Sequence, residues 1–172
     1  MPDPKDSIYL RRAAEIDRRW SSYLHVPATG LQRGLALVIA HTGDSLTWAL
    51  IAVLLWYNSQ IHAAGAIAIT ALIIALIVTL IKLTVRRRRP TAERSWSTMT
   101  LDQHSFPSGH AARSIGLAIV LSGFVPDLAP WLLAWALAVG LARIALGVHY
   151  LSDVIAGWGL GLLFGLILLR FL

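Results

Sequence analysis

The sequence predicts an all-α membrane protein, a polytopic helix bundle of about five transmembrane helices preceded by an amphipathic helix lying in the membrane interface. Three observations carry this expectation. Of 172 residues 56% are hydrophobic and only 14% charged, whereas a soluble domain carries about a quarter charged residues. Mean hydropathy is +0.65. The stretch 45–81 holds no Asp, Glu, Lys or Arg, which leaves room for two crossings of about 20 apolar residues each. The same composition excludes disorder, a coiled coil and a collagen-like fibre, which need polar or repetitive sequence.

The N-terminal segment comes first. Over 7–26, Tyr9, Ala13, Ile16, Trp20 and Tyr23 recur at spacings of three and four, with Arg11, Arg12, Glu15, Asp17, Arg18 and Arg19 between them. That is the pattern of an interfacial helix. Residues 1–30 contain no uninterrupted apolar core, so no cleavable signal peptide is expected. Residues 28–43 fit either the first turns of the next helix or a short re-entrant piece. Tyr57-Asn58-Ser59-Gln60 breaks the long apolar run, giving a first crossing over 46–57 with some upstream extension and a second over 62–85.

A polar loop, 86–104, follows; it holds five of the thirteen arginines and Pro90, which stops a helix. Three further apolar segments run over 108–125, 128–146 and 150–172, the first two separated by Pro126 and Pro130. Trp48, Trp56, Trp131 and Trp158 fall near predicted helix ends, where indole bridges apolar and wet layers. Gly157, Gly159, Gly161 and Gly165 include a Gly-x-x-x-Gly spacing, read as close packing within the chain in preference to dimerisation; oligomeric state stays open. The whole of 1–172 reads as one membrane-embedded domain, with 1–30 interfacial.

The formal charge is +6, from 15 Lys and Arg against 9 Asp and Glu. These positive residues gather in the first 33 positions and in Arg86-Arg87-Arg88-Arg89, beside apolar stretches, so they imply a phospholipid bilayer and no nucleic acid. Arg86, Arg87 and Arg88 read as a positive-inside anchor. There is no cysteine, which removes disulfides, thioether-linked haem and thiolate zinc sites. His25, His41 and His62 have no carboxylate four residues on, and no metal site is assigned.

Charged groups near membrane helices are costly and call for an explanation. Three clusters stand out: Lys82 with Arg89-Pro90; Pro107-Ser108-Gly109-His110; and Arg143 with His149 and Asp153. With five crossings all three fall at one membrane side. Lys82, Arg89 and Arg143 then form an oxyanion clamp, Arg offering a planar fork to phosphate oxygens. Ser108-Gly109 opens a helix whose backbone N–H groups and dipole add donors. His149 and Asp153 share a helix face at four-residue spacing, so the carboxylate can orient the imidazole for nucleophilic attack. His110 can protonate the leaving alkoxide. Charge on a transferring phosphoryl group is met by Lys and Arg, so neither metal nor cofactor is required. Asp102, His104 and Ser105 read as loop polarity, and Arg113 as a neighbour of His110.

The joint spacing Lys82-x6-Arg89-Pro90, Pro107-Ser108-Gly109-His110 and Arg143-x5-His149-x3-Asp153, spanning 82–153, resembles the type 2 phosphatidic acid phosphatase superfamily. The resemblance implies a phosphohistidine at His149, a general acid at His110, orientation of His149 by Asp153, and phosphate binding by Lys82, Arg89, Ser108, Gly109 and Arg143. Ala142 stands where the family usually has Ser; a missing neutral hydrogen bond would weaken binding modestly, by about 0.5 to 1.5 kcal/mol. The implied activity is metal-independent removal of a terminal phosphate from a membrane lipid substrate: polyprenyl diphosphate, phosphatidylglycerophosphate, phosphatidic acid or a phospho-glycolipid. A catalytically silent phospho-lipid binding or transport protein is the alternative, and a vanadate-dependent haloperoxidase shares the site pattern but is expected to be soluble. The expected location is a prokaryotic cell membrane, with the side of the active site open.

Overall fold

A computed structural model of the protein describes residues 8–90 and 104–171. Among the described residues it contains helices and no strand: α1 (Ile8–Tyr23), α2 (Leu31–Thr42), α3 (Ser45–Tyr57), α4 (Ile61–Val85), α5 (Gly109–Ser122), a 3-10 turn (Pro126–Leu128), α6 (Ala129–Ala145) and α7 (Leu151–Leu169).

Among the described residues three stretches are long and apolar enough to cross a membrane alone: α4, Pro126–Ala145 and α7. A fourth candidate is a bent helix pair, a broken span or a re-entrant piece by its length and composition. Helices α2 and α3 meet at 50° across Gly43-Asp44 and qualify together, so the uncertain residues ahead of the first crossing form a helix of their own. The break follows from local chemistry: Gly43 ends α2 and extended Asp44 opens α3.

Helix α5, expected as the third crossing, is different. Its 14 residues reach only about 21 Å at about 1.5 Å per residue. Every residue from Ala111 to Val120 is buried, because α4, α6 and α7 pack around it. A helix wrapped by protein needs neither the length nor the apolar surface of one facing lipid. The five expected crossings therefore correspond to three full-length spans, the bent α2–α3 pair and this short central helix.

Small residues let α7 approach α5. A Cβ on Gly157 would sit 2.5 Å from the Ser108 carbonyl oxygen, and one on Gly161 would collide with that of Ala112. This Gly-x-x-x-Gly spacing serves packing within the chain, while Gly159 faces open space.

Two tryptophans depart from the expectation for helix ends. Trp48 is buried, its indole N–H donating to the Thr42 carbonyl at 2.9 Å, and Trp158 packs over Gly140. Trp56 and Trp131 are exposed. On α1, Ile16, Trp20 and Tyr23 face outward, while Ser21 is buried against the bundle.

Candidate active site

The polar residues collect where α4 ends and α5 and α7 begin. After Lys82, buried in the last turn of α4, Arg86 takes a left-handed conformation (φ 49°) that ends the helix. Along 86–89 exposure then alternates: Arg86 and Arg88 are exposed, Arg87 and Arg89 half-buried. A guanidinium N–H of Arg89 donates to the Val148 carbonyl at 3.2 Å, which places it beside His149. Ser108 caps α5 by accepting from the Ala111 amide, and its own amide donates to the Asp153 carbonyl at 2.9 Å. That bond brings the second and third motifs together. Arg143, near the end of α6, lies in the same turn system, its carbonyl accepting from the Val148 amide at 3.2 Å.

His149 and Asp153 are both fully buried. Asp153 Oδ2 lies 3.6 Å from His149 Nδ1, long for a hydrogen bond but close enough for the carboxylate charge to act on the ring. The same oxygen accepts from the Tyr150 amide at 2.9 Å, closing a capping box at the start of α7. Asp153 Oδ1 accepts from Arg87 at 2.7 Å. The two side chains therefore meet without the expected shared helix face: α7 begins at Leu151, and His149 approaches Asp153 from the bend just ahead of the N-cap Tyr150.

His110 sits across the site with a partner that sequence spacing could not find. Its Nε2–H donates to Asp44 Oδ1 at 2.6 Å, across 66 residues. Asp44 is supplied by the break between α2 and α3, and Arg113 holds that break by donating to the Gly43 carbonyl at 3.1 and 3.3 Å. Arg113 is therefore a support for the Asp44 loop. A cavity of about 410 Å³ is lined by Asp44, Ser45, Lys82, Gly109, His110 and Arg113 among others. It continues along the seam between α3 and α4 into an apolar cavity of about 420 Å³, with Ser45, Ala75 and Arg113 common to both.

Sequence reasoning also missed Arg87. Read as an anchor, it instead bridges Asp153 and, at 2.6 Å, Asp17 of α1, while its guanidinium lies 4.1 Å above the Tyr150 ring. Only the alternation of exposure along 86–89 separates it from Arg86 and Arg88, and that alternation depends on where α4 ends. Ser105 is buried and ties the loop down, its amide donating to the Arg87 carbonyl at 2.8 Å. Asp102 lies outside the described residues. Ala142 packs against Ala36 and Ala40 of α2. Among the described residues, no three His, Asp or Glu are grouped to hold a metal ion.

The family model described as "PAP2 superfamily" matches residues 63–172. The chain is 41% identical over 105 residues to decaprenylphosphoryl-5-phosphoribose phosphatase of Mycobacterium tuberculosis, covering 60% of this chain and 56% of that protein. It is 37% identical over 70 residues to phosphatidylglycerophosphatase B of Bacillus subtilis, 34% of each chain. It thus spans about half the length, or less, of these curated relatives. The fold is similar to the crystal structure of a transmembrane PAP2 type phosphatidylglycerolphosphate phosphatase from Bacillus subtilis (TM-score 0.77, 22% identity, 97% of this chain and 88% of that one). It is also similar to that of Aquifex aeolicus LpxE (TM-score 0.73, 22% identity, 88% and 93%).

Proposed function

The chain belongs to the PAP2 superfamily, and from that premise we propose that it is a membrane-embedded phosphatase that removes a terminal phosphate from a lipid phosphate. The observation that carries the reading is the pairing of two histidines with two carboxylates around one end of the bundle: buried His149 with Asp153, and His110 with Asp44. His149 Nε2 attacks phosphorus while Asp153 faces Nδ1; the bond from phosphorus to the leaving oxygen breaks, and His110 supplies the proton that oxygen needs. Water then attacks the phosphohistidine with His110 as base, releasing inorganic phosphate and restoring both rings. Lys82, Arg89, Arg143, the Ser108 hydroxyl and the Gly109 N–H offset the charge on the phosphoryl oxygens, so the chemistry needs no metal.

The cavity at Lys82 and His110 runs into the apolar α3–α4 seam, which suits a headgroup held at the site with its hydrocarbon tail along the seam. A polyprenyl-linked phosphate heads the substrate order, because the relative at 41% identity is named for one. The charge pattern supports a cytoplasmic site: exposed Arg86 and Arg88 follow α4 at the site, α1 with exposed Arg12, Arg18 and Arg19 packs on the start of α7, and Arg170 follows the far end of α7, a bias that the positive-inside rule assigns to the inner face.

The test is phosphate release by purified protein in detergent with EDTA, on a polyprenyl-phosphoryl sugar phosphate, polyprenyl diphosphate, phosphatidylglycerophosphate and phosphatidic acid. Wild type is expected to turn over at least one, orthovanadate to inhibit, and His149→Ala to be silent. Equal release by His149→Ala, or strict dependence on magnesium, overturns the mechanism. Binding of these lipids with no release by any form would favour the silent binding protein. For sidedness, Arg88→Cys gives a single thiol in a chain without cysteine. An impermeant reagent should label it only after cells are permeabilised, and labelling of intact cells reverses the orientation.

A further inference from the structure

The first helix has no part in the three motifs and lies outside the matched residues 63–172, yet it makes polar contacts to the first residues of α7. Leu151 and Ser152, the first two residues of α7, present backbone N–H groups that no turn of their own helix can satisfy. Helix α1 satisfies both. Ser21 Oγ accepts from the Leu151 amide at 2.9 Å and Asp17 Oδ1 from the Ser152 amide at 3.0 Å. Ser21, itself buried, donates back to the Asp17 carbonyl at 2.7 Å. Asp17 Oδ2 accepts from the Ser152 hydroxyl and, at 2.6 Å, from Arg87. The other end of the same guanidinium donates to Ser152 Oγ at 2.6 Å and to Asp153 Oδ1 at 2.7 Å.

We propose that α1 is a positioning element for the nucleophilic dyad: Asp17 and Ser21 cap α7 from outside, and Asp17, through Arg87, sets the Asp153 carboxylate against His149. This rests on the functional reading above. The physical argument is that one cation is anchored twice: Arg87 divides its donors between two carboxylates, so the seat from which it holds Asp153 depends on Asp17. Remove that charge and the guanidinium loses one anchor, leaving the Asp153 carboxylate less firmly set against the His149 ring. A fork able to reach two separate carboxylates is a property of Arg and not of Lys.

The test is a double-mutant cycle with steady-state kinetics in detergent, using p-nitrophenyl phosphate and a lipid phosphate. Asp17→Asn is expected to lower kcat about tenfold on both substrates, with KM within about twofold of wild type. Asp17→Glu should recover part of the loss. Arg87→Gln should lower kcat at least as far, and the double variant no further, since both act through Asp153. A raised KM with kcat intact would overturn the proposal by making these residues substrate contacts; additive losses would overturn the coupling. Hydrogen exchange supplies a readout independent of activity. In a variant combining Asp17→Ala with Ser21→Ala, which removes both acceptors, the amides of Leu151 and Ser152 should lose protection while the α3–α4 hairpin keeps its own. If wild type releases no phosphate from any substrate the functional reading fails, and unchanged protection at Leu151 and Ser152 would overturn the clamp by itself.

Discussion

The two histidine corners of this site are built in opposite ways. At one, His149 and Asp153 lie four residues apart across the start of one helix, both sealed from solvent, with Arg87 on the carboxylate and α1 beside it. At the other, His110 takes its carboxylate from a chain break 66 residues away, and Asp44 is about a third exposed (37%). The difference matches the proposed roles. A nucleophile that must present one lone pair to phosphorus gains from a rigid, dry seat, whereas a group that gives up and regains a proton needs access to the leaving oxygen and then to water.

The largest effect should separate the corners. His149→Ala is expected to lower kcat by at least about 10⁴-fold on every substrate, because it removes the proposed nucleophile. Initial rates on p-nitrophenyl phosphate and on a lipid phosphate would measure it. His110→Ala should cost about 10² to 10⁴-fold on the lipid phosphate, the usual range for a general acid. It should cost far less on p-nitrophenyl phosphate, whose leaving group departs without a proton. Equal losses on both substrates would mean that His110 is not the acid.

Asp44→Asn sharpens the comparison further. It is expected to reproduce the His110 leaving-group dependence in miniature, with about a three- to tenfold loss on the alkyl phosphate and little on the nitrophenyl ester. A loss on both esters would place Asp44 with the clamp. The smallest change belongs to Ala142→Ser. Since Ala142 packs against α2, a hydroxyl there is expected to move kcat/KM by less than about threefold; a larger gain would show that the side chain reaches the phosphate.

How much of this was legible from sequence depends on the range of each interaction. Helix α4, the pairing of His149 with Asp153 and the capping of α5 by Ser108 rest on periods and offsets within one turn or one apolar run, so they can be read off the chain. The α7 glycines likewise announced close packing. Arg87 was misread because four consecutive arginines are equivalent in composition, and only the turn at Arg86 assigns alternate ones to the interior. Trp48 and Trp158 were placed near the interface because a terminal position in sequence says nothing about which neighbours cover it. Helix α5 looked like an ordinary crossing, since its burial on all sides comes from three other helices.

By itself, then, the sequence determined a helical membrane chain, the approximate place of its spans, and the three motif clusters, because hydrophobic length and helical period act locally. The tertiary structure decided the partners: Asp44 for His110, Asp17 for Arg87, α2 for Ala142, and the bent α2–α3 pair that brings Asp44 into the site. Each is a charge or contact satisfied by a residue far away in the chain. In a medium that leaves buried polar groups no water, the identity of that distant partner is set by which helix ends meet, and that is fixed only when the bundle closes.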